Sequence, residues 1–232
     1  MSYCLRDQIT GRFVKDHKHL QNNFCPDSIS VEHAYWLGFL LADGCMYNTG
    51  ELRVCLARTD ANYGHLVNLK NFIYPACKVK TYPRQVMIQI TDANLQANLN
   101  HFGIVPRKTW QVITIPNEVL SPHLVFHFIR GYFDGDGWIV SGQQWNQKYQ
   151  KFYPRICFGI CAYHSSILYE MQNILDIPKG LSQKSNQHLF ELRSGSFNKC
   201  AIIFKQLYAN TNPCIRLETK YDRYHSIIRQ YL

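Results

Sequence analysis

Two stretches of the chain follow one pattern: Trp36-Leu-Gly-Phe-Leu-Leu-Ala-Asp-Gly44 and Ile129-Arg-Gly-Tyr-Phe-Asp-Gly-Asp-Gly137. In each stretch a glycine precedes an aspartate by five positions, so that Gly38 corresponds to Gly131 and Asp43 to Asp136. Because glycine has no side chain, two helices can approach closely where Gly38 and Gly131 meet. Such packing would bring Asp43 and Asp136 together at one end of the helix pair.

The residues around both stretches repeat one order of elements. Ser28 or Ser30 can cap a helix, and the run that follows, 31–42, is apolar on nearly all sides, as expected of a helix packed centrally. Residues 51–58 alternate in character, which predicts a half-buried strand. Asp43 and Asp136 lie 93 positions apart. Self-similarity at a fixed offset predicts two copies of one helix and strand unit.

The predicted elements divide the chain into an N-terminal extension (1–29), a first half (30–118) and a second half (119–232). The first half is predicted to hold helices at 30–42, 60–74 and 92–102, a strand at 51–58 and a hairpin at 78–91. The second half is predicted to hold helices at 121–134, 164–175, 197–208 and from about 220, strands near 138–141 and 153–162, and a hairpin at 181–193. The Gln-rich segment 142–151 is expected to be a surface loop or strand extension.

Two aspartates at helix C-termini predict a metal site. The helix macrodipole disfavours negative charge at this end, and two converging carboxylates need a cation between them. Oxygen ligands favour magnesium, manganese or calcium over zinc. One Asp-Gly pair after a helix is an ordinary stop signal, but two copies at equivalent points of a repeat favour a site. A calcium loop after Asp134 is discounted, because Trp138 and Ile139 stand where that loop needs a ligand and a glycine.

The composition limits the class of partner. Lys and Arg number 25 against 16 Asp and Glu, a net charge of +9, which favours a polyanionic partner such as nucleic acid or a membrane surface. No run of 18 apolar residues exists, so a membrane-spanning chain is not expected. The first residues lack the apolar region of a secretory signal, and the nine cysteines form no Cys-x-x-Cys pair. These features predict an intracellular protein with reduced cysteines.

The paired stretches resemble the two motifs of single-chain LAGLIDADG homing endonucleases. The resemblance extends through Gly103-Ile-Val-Pro-Arg-Lys-Thr109 and Arg216-Leu-Glu-Thr-Lys-Tyr221 and covers nearly all of residues 30–232. It implies that Asp43 and Asp136 are catalytic metal ligands, aided by the carbonyl groups of Ala42 and Gly135. It also implies one supporting basic residue per half, Lys108 and Lys220. The earlier acidic position of the motif holds Leu41 and Asp134, and Asp134 is interpreted as a cap or surface residue.

The resemblance implies an α/β (α+β) fold of two pseudo-symmetric halves. Each half would have a curved antiparallel sheet, backed by helices and lying in the DNA major groove, and the two motif helices would pack at the centre. A sheet with one polar face can present Arg, Lys and Gln to bases and phosphates. The candidates for these contacts are Arg53, Lys78, Lys80, Arg84, Gln89, Gln143, Arg155, Lys184 and Arg193. The segment Gly11-Arg-Phe-Val-Lys15 is compatible with a phosphate-contacting arm.

The implied function is site-specific hydrolysis of both strands of double-stranded DNA. The implied cofactor is Mg²⁺; Mn²⁺ can substitute, and Ca²⁺ can bind without supporting cleavage. A monomer would recognise a long, partly palindromic site in a compartment that contains DNA, such as a bacterial or phage-infected cytoplasm or an organelle. One alternative is a non-cleaving DNA-binding protein or an intron RNA maturase of the same fold. Another is an unrelated basic protein whose repeats are structural.

Overall fold

The computed structural model describes residues 21–184, 188–209 and 211–231, with side chains described as far as Ile227. The first half contains α1 (Val31–Asp43), β1 (Gly44–Met46), β2 (Glu51–Ala57), α2 (Asp60–Ile73), β3 (Lys80–Thr81), β4 (Gln85–Thr91) and α3 (Ala93–His101). The second half contains α4 (Val125–Asp136), β5 (Gly137–Asn146), β6 (Lys151–Ala162), α5 (Ser165–Ile174), β7 (Leu181–Gln183), β8 (Phe190–Ser194), α6 (Phe197–Tyr208) and α7 (Glu218–Tyr231). The proposed arm at 11–15 lies outside the described residues.

Each half forms one four-stranded antiparallel sheet. The order β1-β2-β4-β3 in the first half matches β5-β6-β8-β7 in the second, and every pair of neighbouring strands is antiparallel. Both sheets therefore follow the same path from a central helix through two hairpins. The predicted α+β repeat is confirmed.

The sheets have one face on the core because their residues alternate in character. In β2, Leu52 and Val54 are buried while Arg53 remains half-exposed. Their cross-strand partners in β4, Ile90 and Ile88, are also buried. Apolar side chains on one face and polar ones on the other are what a sheet needs when helices cover only one side.

Helices α1 and α4 occupy the centre of the molecule. Of the two predicted caps, Ser30 is the one that caps α1: its hydroxyl accepts from the His33 main-chain N–H, and His33 Nδ1 accepts from the Ser30 N–H. Every residue of α1 from Ala34 to Leu41 is buried, which explains why the sequence of this helix has no polar side. The ends of both helices lead directly into the first strand of a sheet, β1 or β5.

The start and end of one central helix differ from the sequence prediction. Helix α4 begins at Val125 rather than Ser121 and continues through Asp136. Of the two alternatives predicted for the Gln-rich segment, the strand extension is the one observed: β5 and β6 continue as a long hairpin in which Asn146 pairs with Lys151. Residues 21–29 of the predicted extension pack on the first half: Phe24 is fully buried, and the Gln21 N–H donates to the Ile73 carbonyl at 2.8 Å.

Among the described residues, no helix combines the length and the apolar character that crossing a membrane requires.

Candidate functional site

The contact between α1 and α4 is made by two glycines. A Cβ atom added to Gly38 would overlap the carbonyl oxygen of Phe128, and one added to Gly131 would overlap that of Tyr35. The backbones of the two helices thus touch at reciprocal points, where any side chain would hold them apart. The predicted role of Gly38 and Gly131 in helix packing agrees with this geometry.

The close approach persists to the C-terminal ends of the two helices. A Cβ added to Gly135 would lie 2.5 Å from the Ala42 Cβ and 3.2 Å from Oδ2 of Asp43. The Asp43 carboxylate therefore lies against the last turn of α4, the turn that carries Asp136. The structure brings together the two acids that sequence analysis paired across 93 positions.

Burial is the main influence on the pKa values of the two acids. Burial and the negative charge of Asp136 raise the pKa of Asp43 to about 6. Burial also raises the pKa of Asp136, although Lys108 and Lys220 act in the opposite direction. Buried carboxylates with raised pKa values are typical of functional sites, because burial disfavours their charged form.

Each half supplies one lysine to the end of one central helix. Lys108 Nζ donates to the carbonyls of Leu40 at 3.0 Å and Ala42 at 2.8 Å, and also to that of Leu41. The last carbonyls of a helix have no partner within it, and a cation is favourable there. The three donors of the ammonium group are therefore used by three carbonyls of α1.

Lys220 makes the equivalent contacts with α4. Its Nζ donates to the carbonyls of Asp134 at 2.6 Å and Gly135 at 3.4 Å, and also to that of Phe133. Burial lowers the pKa of Lys220 and lowers that of Lys108 to about 8. The predicted supporting lysines thus lie at symmetrical places, and each touches the carbonyl predicted as a metal ligand.

The donor atoms at this point fit a hard divalent cation. The Asp43 and Asp136 carboxylates and the carbonyls of Ala42 and Gly135 supply only oxygen, which Mg²⁺ and Ca²⁺ prefer. No group of three or more His, Cys, Asp or Glu in the described ranges could hold a metal, so further ligands would be water or substrate oxygens. Magnesium commonly binds with one or two carboxylates and completes its shell in that way.

Asp134 is neither a cap nor a surface residue, and the sequence interpretation was wrong. Its side chain is 2% exposed. It accepts hydrogen bonds from the Tyr35 hydroxyl at 2.7 Å, from the Leu217 main-chain N–H at 2.7 Å and from the Tyr208 hydroxyl. Position 134 falls on the buried side of α4, and its partners come from three other segments.

The polar face of the first sheet gathers three of the five predicted DNA-contact residues of that half. Arg53 donates to Glu51 at 2.6 and 3.0 Å, Lys80 donates to Gln89 at 2.5 Å, and Gln89 donates to Glu51 at 3.2 Å. Lys78 precedes β3 and is exposed. Arg84 lies apart from this network, in the turn before β4. Glu51, which sequence analysis did not single out, holds the network together.

Of the four predicted DNA-contact residues of the second half, one lies on the opposite face of the sheet from the other three. Arg155, Arg193 and Lys184 share the polar face, where Lys184 pairs with Glu191 at 3.1 Å. Gln143 is opposite Pro154 in the register, so it lies on the other face of the sheet from Arg155. Gln144, in register with Tyr153, is the glutamine on the Arg155 face. The choice of Gln143 for that face was wrong by one position.

The chain is similar to solved LAGLIDADG nucleases. I-SmaMI, a LAGLIDADG homing endonuclease bound to cleaved DNA, matches with a TM-score of 0.61 and 13% identity, over 87% of this chain and 88% of that one. I-SmaMI bound to uncleaved DNA with calcium ions matches at 0.57 and 14%, over 87% and 90%. The meganuclease I-AabMI bound to uncleaved DNA matches at 0.57 and 12%, over 87% and 92%. No protein-family model and no curated protein matches the sequence. The chain has the LAGLIDADG homing endonuclease fold.

Proposed function

We propose that this chain, which has the LAGLIDADG fold, is a site-specific endonuclease that hydrolyses both strands of double-stranded DNA. The observation that carries the proposal is the reciprocal contact of Gly38 and Gly131, together with the position of the Asp43 carboxylate beside Gly135, the neighbour of Asp136. Structures of this fold bound to cleaved and to uncleaved DNA support it. So does the net charge of +9, which suits a polyanionic substrate.

The cofactor we propose is Mg²⁺, held by the carboxylates of Asp43 and Asp136 with the carbonyls of Ala42 and Gly135. A divalent ion bound by these residues would supply an activated water and would stabilise the charge on a leaving oxygen. Mn²⁺ would substitute for it, and Ca²⁺ would bind without supporting cleavage. A fold neighbour bound to uncleaved DNA in the presence of calcium supports divalent metal use.

The two buried lysines would contribute fixed positive charge to the reaction, and the residues of the sheet faces would position the DNA. Lys108 and Lys220, each fixed on a helix end, would place one ammonium beside each scissile phosphate. A cation held there in advance stabilises the charge that develops in the transition state without reorganisation. The basic residues of the two polar faces would hold the duplex together with Lys78 and Arg84 beside them, and Gln89 and Gln144 would read base edges. The basic residues of the faces are Arg53, Lys80, Arg155, Lys184 and Arg193.

Two similar but unlike halves in one chain suggest how the target is read. A monomer with two sheets would recognise a long, partly palindromic site, one half-site per sheet. This activity needs an intracellular compartment that contains DNA. A gene that encodes such an enzyme can spread by intron homing.

The test is cleavage of a randomised duplex library with Mg²⁺. We expect the wild-type chain to cut a discrete site, and Asp43→Asn and Asp136→Asn each to bind that site without cutting both strands. Asp60→Asn, which removes an exposed acid at the start of α2, is the matched control and should cut normally. If the wild type binds tightly and never cuts, the protein is instead a non-cleaving DNA-binding protein or an RNA maturase of the same fold.

A further inference from the structure

Two charged side chains are fully buried behind the site. Arg130 is 1% exposed and Asp134 is 2% exposed. They are four positions apart, so they lie on the same face of α4. Burying charges is costly unless they are paired and hydrogen-bonded. Their contacts therefore indicate what they hold in place.

Both side chains bind the same short segment of backbone. Arg130 Nε donates to the carbonyl of Ile215 at 3.0 Å, and the Asp134 carboxylate accepts from the N–H of Leu217 at 2.7 Å. Helix α7 begins at the next residue. Lys220 is in its first turn, and its own N–H donates to the Leu217 carbonyl at 3.0 Å. Arg130 and Asp134 thus fix the backbone that leads into the first turn of α7, the turn that carries Lys220.

The first half holds its lysine by other means. The motif alignment places Leu37 at the position of Arg130 and Leu41 at that of Asp134. The segment before Lys108 is fixed by a parallel bridge between Met46 and Pro106. The two lysines therefore reach equivalent places through different anchors.

We propose that Asp134, together with Arg130, is a positioning residue that sets Lys220 against the end of α4 for cleavage of one strand. The proposal rests on the proposed function of Lys220. A carboxylate only accepts hydrogen bonds, and three donors converge on Asp134: Tyr35, Tyr208 and Leu217. Asparagine would replace the charged acceptor of the Leu217 N–H with a neutral amide, which forms weaker hydrogen bonds. Asp134→Asn is therefore the informative variant.

The first experiment uses the protein alone and does not depend on catalysis. Reductive methylation with formaldehyde and borohydride, followed by peptide mass spectrometry, gives the labelling rate of each lysine. We expect Asp134→Asn to raise the rate at Lys220 about ten-fold, which corresponds to about 1.4 kcal/mol, while the rate at Lys108 stays unchanged. An unchanged rate at Lys220, or an equal rise at both lysines, would overturn the proposal.

Tyr208→Phe is the matched control. It removes one bond to the Asp134 carboxylate but leaves the bond to Leu217, so it should lower stability without changing the ratio of the two labelling rates. Should Asp134→Asn fail to fold, Arg130→Lys replaces it. This variant keeps the charge and loses the Nε contact with Ile215, and it should also expose Lys220 selectively. Equal exposure of Lys108 in Arg130→Lys would contradict the proposal.

The second experiment separates this proposal from the proposed function. A duplex site carrying a different fluorophore on each strand gives two cleavage rates. Lys220→Met identifies the strand whose cleavage depends on Lys220. We expect Asp134→Asn to slow cleavage of that strand about ten-fold more than cleavage of the other strand. Equal slowing of both strands would show a general structural role. If the wild type cuts neither strand, the proposed function fails, and the labelling ratio still decides whether Asp134 positions Lys220.

Discussion

The two halves of the molecule share a sheet order and a helix end but differ in how they support them. In the first half a buried leucine, Leu41, lies in the last turn of α1, while the second half buries Asp134 at the equivalent position of α4. The hairpin of the first half is short, with β1 spanning Gly44–Met46, whereas β5 spans Gly137–Asn146. The two halves therefore share the geometry at the ends of the central helices. They differ in the buried side chains next to those ends and in the length of the first hairpin.

The largest expected effect tests the part that both halves share. Gly38→Ala and Gly131→Ala should each lower the free energy of unfolding by more than about 3 kcal/mol, because the added methyl group overlaps a main-chain carbonyl. Urea denaturation measures it. Gly64→Ala is the matched control: a Cβ at this position in α2 meets nothing within 4 Å, so alanine should stabilise the chain by about 0.5–1 kcal/mol. A clearly unequal loss of unfolding free energy at Gly38 and Gly131 would contradict a symmetrical contact between the two helices.

The next effect compares the two lysines. Lys108→Met and Lys220→Met should each slow cleavage about 10²-fold or more, the loss typical of removing one fixed donor to the transition state. Binding of the uncleaved site should change much less. Single-turnover rates and affinities with Ca²⁺ separate the two quantities, and Lys205→Met, which removes an exposed charge from α6, controls for net charge. Equal losses of rate and affinity would reduce both lysines to phosphate contacts.

A smaller effect concerns the pH dependence of stability without metal. The pKa of Asp43 is raised from 3.8 to about 6, so between these pH values the folded state binds more protons than the unfolded state. Stability must then fall as pH rises through this window. Asp43→Asn removes the effect and should stabilise the metal-free chain at pH 7 by about 1–3 kcal/mol.

Bound metal should reverse the order of stability of the wild type and Asp43→Asn. Saturating Mg²⁺ should stabilise the wild type and not Asp43→Asn at pH 7, with the gain declining below about pH 6 as protons compete for the carboxylate. Thermal melts across pH 4–8, with and without Mg²⁺, measure both differences. A wild type and variant whose stabilities run parallel across this range would contradict the assigned site.

The smallest expected effect concerns which face of the second sheet contacts DNA. Arg155→Ala should weaken DNA binding by about 1 kcal/mol and reduce the salt dependence of the affinity by about one phosphate contact. Gln143→Ala, on the opposite face, should leave both unchanged. Fluorescence anisotropy at several salt concentrations is sufficient. A larger loss from Gln143→Ala would place the duplex on the other side of the hairpin.

The sequence predicted the features that local patterns determine. The serine cap and apolar run fixed α1, alternation fixed β2, and the repeated motif paired Asp43 with Asp136. Alternation was less informative in 142–151, because a polar run has no apolar face from which to count, and Gln143 was assigned to the wrong side. Asp134 was misinterpreted because its partners lie far along the chain: Tyr208 is 74 positions away and Leu217 is 83. No local pattern reports contacts of that range.

The reciprocal glycine contact has a consequence for how the halves are joined. At the point of closest approach each helix offers the other a bare backbone, so little side-chain matching is needed there. The covalent link between the halves then serves mainly to raise their effective concentration. A chain opened in the loop between α3 and α4 should reassemble from its two pieces. Halves from different proteins of this architecture could be exchanged, provided that the Tyr35 and Asp134 hydrogen bond is matched.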